Sequence, residues 1–174
     1  MGMGRFTCLT WIRWRKAMFR SHDHVSSSSQ LYDQNTFYSA FTRDLYLVRR
    51  QVIIESPFIT SKRIRSLLPI FKKLRRRGVQ VVINTRDPQD HEGTYQNQAE
   101  EAVALFHALD IVVLYTAGHH RKLAIIDGEI VWEGSLNILS FSDSCEIMRR
   151  ITSSAEADAL IAFIGLEEFI GALS

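Results

Sequence analysis

An α/β fold, with a mixed and largely parallel β-sheet flanked by helices, follows from three features of this sequence. Segments with apolar residues at every third or fourth position alternate with short, nearly continuous apolar runs. The links between them are short, which favours right-handed crossovers and parallel neighbours. At 174 residues and 46% hydrophobic content, the chain suffices for one ordinary core and not for two.

Residues 1 to 30 read as an arm. Trp11, Trp14 and Phe19 interleave with Arg13, Arg15, Lys16 and Arg20, and after His22-Asp23-His24 a run of four serines reads as a linker. Such an arm can stack on bases, lie on an anionic membrane, or dock on its own domain or a partner subunit, and docking ranks first. Two histidines alone are too few for a metal site.

From Asp33, a candidate N-cap, the positions of Phe37, Ala40, Phe41, Leu45 and Val48 predict a helix. Val52 to Glu55 predicts a strand that Ser56-Pro57 ends. Ser61 then caps a helix carrying Ile64, Leu67, Leu68, Phe71 and Leu74 on one side, with Gly78 as its stop and Pro69 expected to kink or divide it. Val79 to Ile83 reads as a buried strand of a parallel sheet. After a polar, turn-rich stretch from Thr85 to Gln96, a helix through Ala99, Val103, Phe106 and His107 and a strand from Asp110 to Tyr115 complete the alternation.

The next stretch concentrates polar chemistry on two apolar strands. It runs Gly118-His119-His120-Arg121-Lys122-Leu123-Ala124-Ile125-Ile126-Asp127, and after a short gap Gly134-Ser135-Leu136-Asn137. Residues two apart share a face of a strand, so His120, Lys122 and Ala124 point one way and Leu123 and Ile125 the other. Asp127-Gly128 suits a tight hairpin turn, which returns Ile130-Val131-Trp132 beside the first strand and Ser135 and Asn137 toward the His-Lys end. Beyond them, Cys145 to Ile151 predicts a strand with Glu146, Met148 and Arg150 on one face, and Ala155 to Leu173 a closing helix.

If the His120 strand opposes the earlier ones, it starts where they end, beside Ser56 to Thr60 and Thr85 to His91. Ligands of such sheets gather there.

His-x-Lys-x4-Asp, six residues, then Gly-Ser-x-Asn resembles the signature of the phospholipase D superfamily, with His120, Lys122, Asp127, Gly134, Ser135 and Asn137 filling every position. The wider resemblance covers roughly Leu31 to the C-terminus. It implies a phospholipase D-like α-β-α sandwich over residues 31–174 and a phosphodiesterase that needs no metal or other cofactor. His120 would be the nucleophile, and Lys122 and Asn137 would grip the phosphate oxygens. Ser135 would either orient a carboxylate or donate to the phosphate, Asp127 would fix the hairpin, and Glu146 would hold the imidazole. The family's chemistry uses two histidines and this chain has one His-x-Lys, so a symmetric homodimer is expected to complete the site. His119 is out of register, and no carboxylate or third imidazole lies at metal-ligand spacing from it.

Short single-motif members are commonly nucleases, so the expected substrate is nucleic acid, DNA or RNA, cut by an endonuclease. Two other readings stay open: a nucleic-acid-binding or assembly module of a DNA-processing or defence system with vestigial chemistry, and a lipid phosphodiesterase.

Charge adds little to that choice, since Lys and Arg number 21 against 19 Asp and Glu. Basic residues do cluster at Arg13 to Arg20 and at Lys72 to Arg77, where they serve a helix end as readily as a nucleic acid. Cys8 and Cys145 lie far apart and suggest a reducing compartment or incidental thiols, not a disulfide scaffold. No apolar run is long enough to span a bilayer, and the first residues lack a cleavable signal or a myristoylation pattern, so a cytoplasmic location is expected.

Overall fold

A computed structural model describes residues 28–141 and 144–167. The elements run β1 (Ser28–Asp33), α1 (Phe37–Leu47), β2 (Gln51–Glu55), α2 (Ser61–Arg76), β3 (Gln80–Thr85), α3 (Thr94–His107), β4 (Val112–Tyr115), β5 (Leu123–Ile126), β6 (Ile130–Gly134), β7 (Ile147–Thr152) and α4 (Ser154–Ile164). The basic-aromatic segment, Cys8, His22 and His24 lie outside the described residues.

The seven strands form one sheet in the order β1-β7-β6-β5-β2-β3-β4. It is mixed, as expected, but mostly antiparallel where a largely parallel sheet was expected, and its two halves differ. Parallel pairing is confined to β2-β3-β4, whose strands are joined through helices, while β5, β6, β7 and β1 pair antiparallel. The three layers are those of an α-β-α sandwich. On one face Val52, Ile54, Ala124, Ile126 and Trp132 pack under Phe37, Phe41, Leu67, Phe71 and Phe106 of α1 to α3. On the other, Ile53, Val82, Leu123, Ile125 and Val131 pack against Ala157 and Ile161 of α4. The alternation along β5 therefore sorts its residues between two cores, and burial of both sets holds its register.

Several details differ from the sequence expectation. Ser28 and Ser29 are strand, not linker, because they pair with Thr152 and Ile151 of β7. Asp33 ends β1, and its carboxylate takes the Thr36 and Asn35 N–H groups, so α1 starts only at Phe37. The third predicted strand starts at Val112, because Asp110 takes a positive φ of 54°. Cys145 is exposed and precedes β7. The last helix stops at Ile164, where Gly165 adopts φ 73° and its N–H closes onto Ile161 O. Pro69 does not divide α2: the buried stripe from Ile64 and Leu67 to Ile70, Phe71 and Leu74 runs straight past it, and that burial outweighs one missing hydrogen bond.

Candidate active site

β5 runs antiparallel to β2 and pairs Leu123 with Glu55, so the residues just ahead of β5 stand at the carboxyl ends of β2 and β3. The loop from Ser56 to Thr60 and the one after Thr85 lie at that end.

A buried polar floor supports the site. Glu55 is fully buried and accepts from Arg121 at 2.5 and 2.9 Å and from Asn84 Nδ2 at 2.8 Å. Asn84 Oδ1 in turn accepts from Thr116 Oγ1 at 3.0 Å. A buried carboxylate is tolerated only with such partners. The pair also raises the Arg121 pKa further, chiefly through the hydrogen bonds to Glu55. Arg86, the first residue after β3, donates to His119 O at 2.9 Å. The backbone leading to His120 is thus held from two sides.

His120 itself is exposed, and its ring contact among the described residues is Lys122, whose Nζ lies 3.2 Å from Nδ1 and donates to His120 O at 2.9 Å. An ammonium there meets the Nδ1 lone pair, which puts the ring proton on Nε2. Desolvation lowers the Lys122 pKa, the Arg86 charge lowers it further, and Glu146 opposes both. Glu146 accepts from Ser135 Oγ and, at 2.6 Å, from Ser144 Oγ. His120, Lys122, Ser135 and Glu146 therefore converge, with Arg86 as a further cation.

Asn137 lies two residues beyond Ser135, with its Oδ1 buried and without a hydrogen-bond partner. Its loop is clamped: Arg63 Nε donates to Ile138 O at 3.0 Å, Ser56 Oγ accepts from Leu139 N, Thr60 N donates to Leu139 O, and Tyr38 donates to Ser140 O. Arg63 is stacked 4.5 Å from the Tyr38 ring centroid, and burial brings its pKa down to about 10.

Gly134 is required by close approach. A Cβ there would overlap the Ile147 carbonyl oxygen and stand 2.9 Å from Met148 Cα, so only glycine lets β6 and β7 bring Ser135 to Glu146.

Asp127 is not in this group. It sits at the far end of β5 in a hairpin turn with Gly128, both at positive φ, and its carboxylate accepts from the N–H groups of Arg49, Arg50 and Gln51 at 2.9, 2.8 and 3.0 Å. His119 is sealed in the interior at 2% exposure, so it is not placed to reach a substrate. Desolvation, with Arg121 and Lys122 adding to it, lowers its pKa against the pull of Glu55. His91 is also buried and packs 5.2 Å from the Phe58 ring. Among the described residues no three His, Cys, Asp or Glu side chains group as metal donors.

The profile of the family described as cardiolipin synthase, PLD-like domain, matches residues 44–164. The chain belongs to the phospholipase D superfamily. Among solved structures, the phospholipase D family member Nuc from Salmonella typhimurium superposes with a TM-score of 0.64 at 16% identity, over 79% of this chain and 91% of that one. NucT from Helicobacter pylori gives 0.58 at 18%, over 79% and 92%. TrmBL2, an archaeal chromatin protein described as showing a novel mode of DNA binding, gives 0.56 at 13%, over 86% and 55%. No curated protein sequence matches. In this phospholipase D-like chain, reading the sequence missed Arg86, Glu55 and Arg63. Arg86 could have been found, since it opens a loop expected beside the site. Glu55 could not, because a carboxylate closing a strand is ordinary until its burial is seen.

Proposed function

We propose that this chain is a metal-independent phosphodiesterase that cuts nucleic acid internally, through a phosphohistidine on His120 at a site shared by two copies. The observation that carries the reading is the contact of Lys122 with His120 beside the Ser135–Glu146 pair. When a phosphodiester enters, its nonbridging oxygens draw the Lys122 ammonium off Nδ1, with Arg86 and Asn137 adding charge and a donor. The ring proton then passes through solvent from Nε2 to Nδ1, whose N–H donates to Glu146, and the Nε2 lone pair is free to attack.

In the first step the Nε2–P bond forms and the P–O bond to the leaving oxygen breaks, while the partner's His120, protonated, gives that oxygen its proton. In the second, the now neutral imidazole of the partner takes a proton from water, whose oxygen attacks phosphorus and releases Nε2. The two rings act in opposite roles, one entering the first step neutral and the other protonated. Ser135 keeps Glu146 turned toward the imidazole, and Asp127 acts only on the fold.

A binding module with vestigial chemistry is the second reading, favoured by the likeness to a DNA-binding chromatin protein. One assay separates them. The chain is incubated in EDTA with DNA, RNA, phospholipid vesicles and a chromogenic phosphodiester. Cleavage of nucleic acid that survives EDTA and vanishes in His120→Ala is expected. Strict dependence on a divalent metal refutes the mechanism, cleavage of lipid alone refutes the substrate, and binding without cleavage of any substrate selects the second reading.

A further inference from the structure

We infer that the pole opposite the candidate active site is a second contact surface for the sugar-phosphate backbone, used by nucleic acids longer than about six base pairs. The inference rests on the nucleic-acid reading above, and it concerns a different surface.

Two segments meet at this pole. Arg49 and Arg50 immediately precede β2, while Lys72, Lys73, Arg76 and Arg77 end α2. Arg77 donates to Val48 O at 2.7 Å, Gln80 N donates to Arg50 O at 2.8 Å, and the Lys73 ammonium stands 5.4 Å over the Tyr46 ring. The six cations therefore share one continuous surface, and all six are exposed.

A helix end needs some positive charge, but not this much. Arg75 already turns inward onto Leu109 O and Val79 O at 3.0 and 2.7 Å, and Arg77 serves the end of α1. Among the described residues, Arg50 alone of the six meets a carboxylate, Glu129 at 3.8 Å. Lys72, Lys73, Arg76 and Arg49 are exposed and meet no carboxylate among the described residues. The concentration runs against the rest of the chain: five of the 21 basic and one of the 19 acidic residues precede residue 28, so the remainder holds two more acids than bases.

Geometry selects the ligand. From Arg50, just ahead of β2, to Glu55 at its end is about 17 Å at the rise of a strand. A bilayer holding this pole would turn His120 away from its lipid. A nucleic acid, with a phosphate on each strand every 3.4 Å or so of duplex, reaches both ends after roughly six base pairs. Tyr46 and Leu47, 49% and 67% exposed, add a ring and an apolar surface against sugars and bases.

The test is binding rather than turnover, measured by fluorescence anisotropy in a His120→Ala background with labelled oligonucleotides of about 5 and about 30 units, single- and double-stranded. The variants are Lys72→Gln/Lys73→Gln/Arg76→Gln together and, outside α2, Arg49→Gln alone. For the long ligand the triple variant should bind at least tenfold more weakly, and the slope of log affinity against log salt should fall by about two to three, with about one for Arg49→Gln. The short ligand should bind all proteins alike. Equal binding of the long ligand by all proteins overturns the inference, as does equal weakening of both lengths. Binding to anionic phosphatidylserine vesicles that the triple variant loses, with oligonucleotide binding intact, overturns it too. If the length-dependent loss is seen but the wild-type chain cleaves no phosphodiester, this surface stands and the catalytic reading falls.

Discussion

At the leading end of β5, the exposed His120 and half-buried Lys122 meet at 3.2 Å, and neither spends its chemistry on holding the fold. At the trailing end, Asp127 commits its carboxylate to three backbone N–H groups at the start of β2. These residues belong to one sequence pattern, yet the five steps from Lys122 to Asp127 put roughly 17 Å between them. A shared motif is therefore not a shared site. One end leaves polar groups available to a ligand, and the other uses them to fix the hairpin that aligns the first.

The sharpest way to break this contrast is at Lys122. Lys122→Met should reduce turnover roughly 100- to 1,000-fold, about 3 to 4 kcal/mol of transition-state stabilisation, with little change in thermal stability. Because burial and Arg86 hold the Lys122 pKa below the usual lysine range, wild-type activity should fall on the alkaline side earlier than a free lysine would allow. A pH–rate profile with no such limb would remove Lys122 from the chemistry.

Gly134→Ala joins the two ends of the contrast, since it should damage both fold and activity. Overlap with the Ile147 carbonyl costs about 3 kcal/mol and spreads β6 from β7, separating Ser135 from Glu146. A thermal melt and a turnover assay on the same sample decide it, and a normal melt would contradict the packing.

Asp127→Ala should give the opposite pattern to Lys122→Met. Loss of an acceptor for three N–H groups should cost about 2 kcal/mol of stability, while kcat at a temperature where the variant is folded stays within a few-fold of wild type. A large fall in kcat without loss of stability would return Asp127 to the chemistry.

The smallest effect is expected at His119. Its folded pKa is depressed below the ordinary value, so between the two pKa values the unfolded chain binds more protons and stability falls as pH falls. Denaturant unfolding should show this acid loss below about pH 6.5, and His119→Leu should flatten it. An unchanged slope would place the imidazole in a less buried setting.

How much of this was legible beforehand varies by residue. The His120–Lys122 pairing, the Asp127-Gly128 turn and the return of Ser135 depend on spacings within about ten residues, where strand alternation and turn chemistry decide the geometry. The apolar runs likewise announced β2, β3 and β5, because each is buried on both faces. The serine run hid β1, since its residues are exposed and it exists as a strand only through its pairing with β7.

The sequence by itself determined the motif, its register on two adjoining strands and the α/β class, since these follow from local periodicity and from turns that only certain residues allow. Tertiary structure alone decided that Glu55 lies buried beneath Arg121, that Arg63 clamps the loop of Asn137, that Arg86 stands by Lys122, and that Arg49 and Arg50 join the Lys72 to Arg77 cluster at the far pole. Each of these joins residues some 20 to 80 positions apart, and contacts at that range are set by strand order and helix packing, which no short spacing encodes.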